Sequence, residues 1–102
     1  MVRKFLLSIL ILMLLQASSF AGTLVFVSQY CSACGPVKQV ALELKFEGYD
    51  ITINTDNSDL NKEYRIYAVP TIVFERGGVE VYRHVGAISK SELVRLINYY
   101  GR

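Results

Sequence analysis

Leu24-Val25-Phe26-Val27-Ser28-Gln29-Tyr30-Cys31-Ser32-Ala33-Cys34-Gly35-Pro36-Val37 decides the fold of this chain. Its first four residues are all apolar, which predicts a central strand covered on both faces. Beyond the second cysteine, Val37, Val40, Ala41 and Leu44 recur at helical spacing. Strand and helix therefore meet at a corner that carries Cys31 and Cys34, the only two cysteines of the chain. The start of a helix favours a thiolate over a thiol. Two sulfurs at C-x-x-C spacing are close enough to pass between dithiol and disulfide, so the corner reads as a redox centre.

Upstream, Val2-Arg3-Lys4 is a basic start, Phe5 to Leu15 is apolar except for Ser8, and Ser19-Phe20-Ala21 offers small residues at the two positions a signal peptidase reads. Basic n-region, short apolar core and S-x-A site predict a secretory signal over 1–21, cut after Ala21. An uncleaved membrane anchor is the alternative, but a spanning helix needs about 20 apolar residues and polar Gln16, Ser18 and Ser19 follow the run directly. A secreted or periplasmic domain over 22–102 is the expectation, membrane-anchored if the signal is retained. Arg3 and Lys4 account for the chain's formal charge of +2. Without them basic and acidic residues balance, and no basic patch is left to attract nucleic acid.

Export changes how the cysteines are read. Two cysteines in an exported protein usually form a structural disulfide. Such a bridge stabilises by restricting the unfolded chain, and more so for longer loops. A two-residue gap closes almost the shortest useful loop, which suits redox exchange and not stapling.

The rest of the domain reads as one unit without repeats. Thr23 to Ser28 is the first strand, and a helix runs from about Ser32 to Glu47 and stops at Gly48. Ile51-Thr52-Ile53 is a short strand, and a short helix capped by Asn57 or Ser58 extends to about Arg65. Thr71 to Glu75 and Val79 to Val85 flank the turn Gly77-Gly78 as a hairpin, with the valines of the last strand expected to face the core. Ser89-x-x-Glu92 is a capping box opening a helix with Leu93, Leu96, Ile97 and Tyr100 on one face. The order β-α-β-α-β-β-α predicts an α/β domain with a four-stranded mixed sheet and helices on both faces.

Three blocks now resemble the thioredoxin superfamily: Tyr30-Cys31-Ser32-Ala33-Cys34-Gly35-Pro36, Tyr64 to Thr71 with its Val69-Pro70-Thr71, and Val85-Gly86-Ala87-Ile88-Ser89-Lys90. The likeness is to a minimal, glutaredoxin-sized, exported member. It implies that Pro70 is a cis proline facing the disulfide, that the backbone of Val69 hydrogen-bonds an incoming substrate strand, and that Tyr30 forms part of the partner-binding rim. It also shows departures. Val25 stands where the family carries a buried acid that relays a proton for the inner cysteine. Tyr30 replaces a tryptophan, and the dipeptide between the cysteines is Ser-Ala.

Cys31 is then the nucleophile and Cys34 the resolving thiol of a thiol-disulfide oxidoreductase acting on protein thiols and disulfides. No cofactor and no metal site are assigned. The small size leans the reading toward a reductase or electron relay, since exported oxidases of this superfamily usually carry a large helical insertion. A membrane or periplasmic redox partner and a monomeric state complete the expectation. A soft-metal module that uses the same dithiol for Cu(I) or Zn is the alternative. His84, the sole histidine, is expected to be an exposed strand residue, and the tyrosines other than Tyr30 are expected mostly to pack.

Overall fold

The computed structural model describes residues 21–101. The predicted signal segment, apart from Ala21, lies outside the described residues. The elements follow the predicted order: β1 (Ala21–Val27), α1 (Cys34–Phe46), β2 (Ile51–Thr55), α2 (Ser58–Glu63), β3 (Thr71–Arg76), β4 (Val79–Val85) and α3 (Lys90–Tyr100). The strands form one sheet in the order β2-β1-β3-β4. β1 runs parallel to β2, with α1 as the crossover between them, and antiparallel to β3. β3 and β4 form the hairpin. Gly77 and Gly78 both have positive φ, the conformation that a two-residue hairpin turn needs at both positions.

The apolar run of β1 is central, as its composition requires. Val25 and Phe26 are fully buried and point to opposite faces. On one face Val25, Val27, Ile72 and Phe74 pack with Val37, Ala41 and Leu44 of α1 and with Leu93, Leu96 and Ile97 of α3. On the other face Phe26 meets the ring of Tyr64, just after α2, at 5.4 Å between centroids. The sheet thus has helices on both faces, but unequally, with the two long ones sharing one side. α1 stops as Gly48 predicts: Gly48 N–H bonds Lys45 O and Tyr49 N–H bonds Leu44 O, with Gly48 at φ 104°. This is the paired hydrogen-bond closure of a left-handed helix end.

The valine face of β4 does not meet the core. Val79, Val81 and Val85 are exposed, whereas Tyr82 stacks on Tyr100 of α3 at 4.4 Å and contacts Phe74. Alternation along a strand defines two faces without saying which one the helices cover. In the ladder Tyr82 opposes Phe74 and His84 opposes Ile72, which puts both on the helix-covered side. The next pairs are Glu75 with Glu80 and Arg76 with Val79, so Val81 is an extra residue, a β-bulge. His84 is accordingly half-buried, not exposed, with Nε2 3.2 Å from Ala87 O.

Candidate active site

β1 delivers the chain to the site. Cys31 N–H bonds Ser28 O and Cys34 N–H bonds Cys31 O, so the motif is a pair of tight turns between strand and helix. The helix proper begins at Cys34, with Ala33 as its N-cap and no side chain capping it. Cys31 therefore sits two residues ahead of the cap, not at it, because the Cys31–Cys34 turn closes on a backbone bond of its own. Pro36 is the third helical residue, where an N–H has no intrahelical acceptor, and the ring costs no hydrogen bond there.

The two sulfurs lie at disulfide distance, with the Cα atoms 5.2 Å apart. They differ in exposure. Cys31 is half-buried and Cys34 is 2% exposed, packed into the core cluster. Cys31 Sγ also lies 3.6 Å from Val69 O. The Val69–Pro70 peptide bond is cis, and Pro70 is fully buried behind Val69. Pro70 O accepts from Gly86 N–H at 2.8 Å, and the Thr71 hydroxyl donates to Ala68 O at 2.6 Å. Both bonds fix the loop that carries Val69 beside Cys31. Tyr30 projects into solvent, 88% exposed.

The structure thus brings Cys31, Cys34, Val69 and Pro70 together and leaves Tyr30 as an open rim beside them. It also presents two groups the sequence reading did not select. Tyr67, two residues before Val69, is 90% exposed and is not a packing residue. Beside the sulfurs lies an open surface cavity of about 130 Å³ lined in part by Cys31, Cys34, Ser28, Gln29, Thr55 and Lys38; Gln29, Thr55 and Lys38 are exposed. Asp56, at φ 54°, accepts from Gln29 N–H at 3.1 Å and donates its own N–H to Val27 O. Hydrogen bonding by Ser28 and by Gln29 N–H, with the Lys38 charge adding, holds the Asp56 carboxyl below the usual carboxylate range. Helical spacing places Lys38 one turn beyond Cys34, but Asp56 reaches this corner only through the pairing of β2 with β1.

A larger groove of about 360 Å³ lies on the opposite sheet face, lined by Gly22, Leu24, Thr52, Tyr64 and Glu75 among others, and contains neither cysteine. Val25 is fully buried at the place where the family resemblance implies an acid, and the buried polar residues among those described are Thr23, Asn54 and Thr71. Among the described residues no group of three or more His, Cys, Asp or Glu side chains is placed to share a metal ion. Among the described residues the soft-metal alternative has only the Cys31–Cys34 pair to build on.

Comparison with known proteins gives one answer. The family model of the thioredoxin-like domain matches residues 23–101. Thioredoxin of Chlamydia caviae is 33% identical over 91 residues, covering 81% of this chain and 89% of that protein. Thioredoxin of Chlamydia pneumoniae is 35% identical over 77 residues, covering 72% and 76%. Among solved structures, the reduced thioredoxin pre-protein of Schistosoma mansoni superposes with a TM-score of 0.69 at 23% identity, covering 89% of each chain. An oxidised thioredoxin of Arabidopsis thaliana gives 0.66 at 24% identity, covering 84% of this chain and 79% of that one.

Proposed function

The chain belongs to the thioredoxin-like family, a thiol-disulfide oxidoreductase by its C-x-x-C pair and its relatives, and from that premise we propose that it is an exported reductase or electron relay. One observation carries the chemistry: a half-open Cys31 and a buried Cys34 held at disulfide distance beside the backbone of Val69.

In the reducing direction, the Cys31 thiolate attacks one sulfur of a partner disulfide, forming a Cys31–partner mixed disulfide and releasing the other partner sulfur as a thiol. Cys34 loses its proton and attacks Cys31 Sγ. The second partner sulfur leaves as thiolate, and the Cys31–Cys34 disulfide forms. Two electrons pass from the dithiol to the partner. An extended partner segment bonding to the backbone of Val69, with Tyr30 against its side chains, would align the scissile sulfur with Cys31. Cys34 is too buried to be reached by the partner, which leaves it the resolving role.

Export draws support from the basic start, the short apolar core and the small residues ending at Ala21. Cleavage there would remove a single residue from the end of β1. Among the described residues no helix is long and apolar enough to cross a membrane. An exported reductase needs electrons from a membrane or periplasmic thiol partner. The short β2–α2–β3 connection, with no helical insertion beyond α2, favours the reductase over the oxidase.

The reduction potential tests the direction. Equilibrated against glutathione buffers, the pair is expected near the thioredoxin value of about −270 mV. A value near about −120 mV would mark a disulfide donor and overturn the reductase reading.

A further inference from the structure

The resolving step asks a buried thiol to become a thiolate, and burial alone opposes that. The place from which the family resemblance would supply a carboxylate holds Val25. The open cavity beside the sulfurs offers another means. Cys34 and Lys38 lie four apart on α1 and line the same cavity of about 130 Å³. That volume admits water to the buried sulfur. We infer that Lys38 promotes resolution by holding its ammonium charge over this cavity, where it stabilises the Cys34 thiolate as the thiolate forms.

The surroundings support the assignment. From α1 the groups on the cavity are Cys34, Gly35 and Lys38, and the turn before it adds Cys31. The end of β1 and the turn after it present Ser28 and Gln29, which are neutral, and the end of β2 presents Thr55. The loop before β3 brings the uncharged Val69 to Cys31 Sγ, outside the lining of the cavity. Asp56 is the counter-charge, bonded to Val27 and Gln29 of the cavity wall. Lys38 is itself exposed, and the Asp56 carboxylate feels its charge. The proton of Cys34 passes to cavity water, Cys34 Sγ bonds Cys31 Sγ, and the bond from Cys31 to the partner sulfur breaks with that sulfur carrying off the electron pair. Lys38 is a positioning charge, acting through Cys34.

This inference rests on Cys31 attacking first and Cys34 resolving. A stopped-flow experiment separates the two. The reduced protein is mixed with one equivalent of a symmetrical nitrobenzoate disulfide, whose thiolate leaving group is coloured. A first release reports attack by Cys31, and a second reports resolution by Cys34. Both are followed across pH for the parent protein, Lys38→Met and Lys38→Arg. Loss of the ammonium is expected to make the Cys34 thiol about tenfold less acidic. A less acidic thiol is less ionised but intrinsically more nucleophilic, with a Brønsted slope of about 0.4–0.5. The second release in Lys38→Met should therefore be about threefold slower below both pKa values and about threefold faster above them, so the profiles cross. Lys38→Arg should follow the parent.

A structural lesion would slow resolution at every pH and would not produce a crossing. Uniform slowing, an unmoved profile, or a Lys38→Arg protein that behaves like Lys38→Met overturns the inference. Absence of the first release in the parent protein would instead overturn the order of attack on which it stands.

Discussion

Cys31 and Cys34 are three residues apart, yet one sulfur is offered to a partner and the other is closed off by the core. The asymmetry assigns the steps and makes them separable by mutation. Cys34→Ser should accumulate a covalent complex with a disulfide partner, seen as an added mass that a reductant removes. Cys31→Ser should form no such complex and turn over no substrate, and turnover by it would remove the assignment. Asp56 supplies a pH prediction. Its folded pKa is lowered, by Ser28 hydrogen bonding first and the Gln29 N–H second. The stability it contributes is therefore present above its unfolded pKa and fades as pH falls through the folded value. Urea titrations of Asp56→Asn should show a shallower loss of stability on the acid side of that window than the parent, with little difference in slope near neutrality. At this scale the cysteines were legible because spacing alone brings them together. Asp56 was not, since the chain reaches the cavity wall from the far end of a different strand.

Among the elements, those with local signals were the most readable. Asn57, one of the two predicted caps, accepts from Asp59 N–H at 3.1 Å and Leu60 N–H at 3.2 Å. Asn57→Ala should cost about 1 kcal/mol in denaturant unfolding, the usual worth of such a cap. The box at Ser89 is half-made. Ser89 Oγ accepts from Glu92 N–H, but the Glu92 carboxylate turns to Arg95 at 2.6 Å in place of closing back on the cap. Leu44, fully buried between α1 and the sheet, should cost about 2–5 kcal/mol when truncated to Ala. What the sequence did not disclose was the side of the sheet on which α3 lands. Period-2 alternation in β4 marks a valine face and a Tyr82–His84 face with equal clarity. The register with β3 chose between them, bringing Tyr82 onto Tyr100.

For the whole molecule, charge separates the two fates of the N-terminus. The full chain has a pI of about 8.6, and the proposed signal segment over 1–21 holds Arg3 and Lys4, its only charged side chains. A cut after Ala21 should shift the exported species to a distinctly lower isoelectric point, with a mass that begins at Gly22. An exported species still focusing at the basic value would mean the segment is kept. The fold order and the sheet were legible at this scale because each element announces itself locally. The unequal cover of the sheet's two faces was not, being settled by packing between elements far apart in the chain.

One irregularity reaches beyond the single chain. β4 ends the sheet, and its valines are left in water. A straight apolar edge is a template on which a strand from another molecule can add. The extra residue at Val81 bends that edge and breaks its register. Removing Val81 would restore an unbroken ladder. Concentrated solutions of the deletion protein should then scatter light and form fibrous deposits on storage, while the parent stays clear.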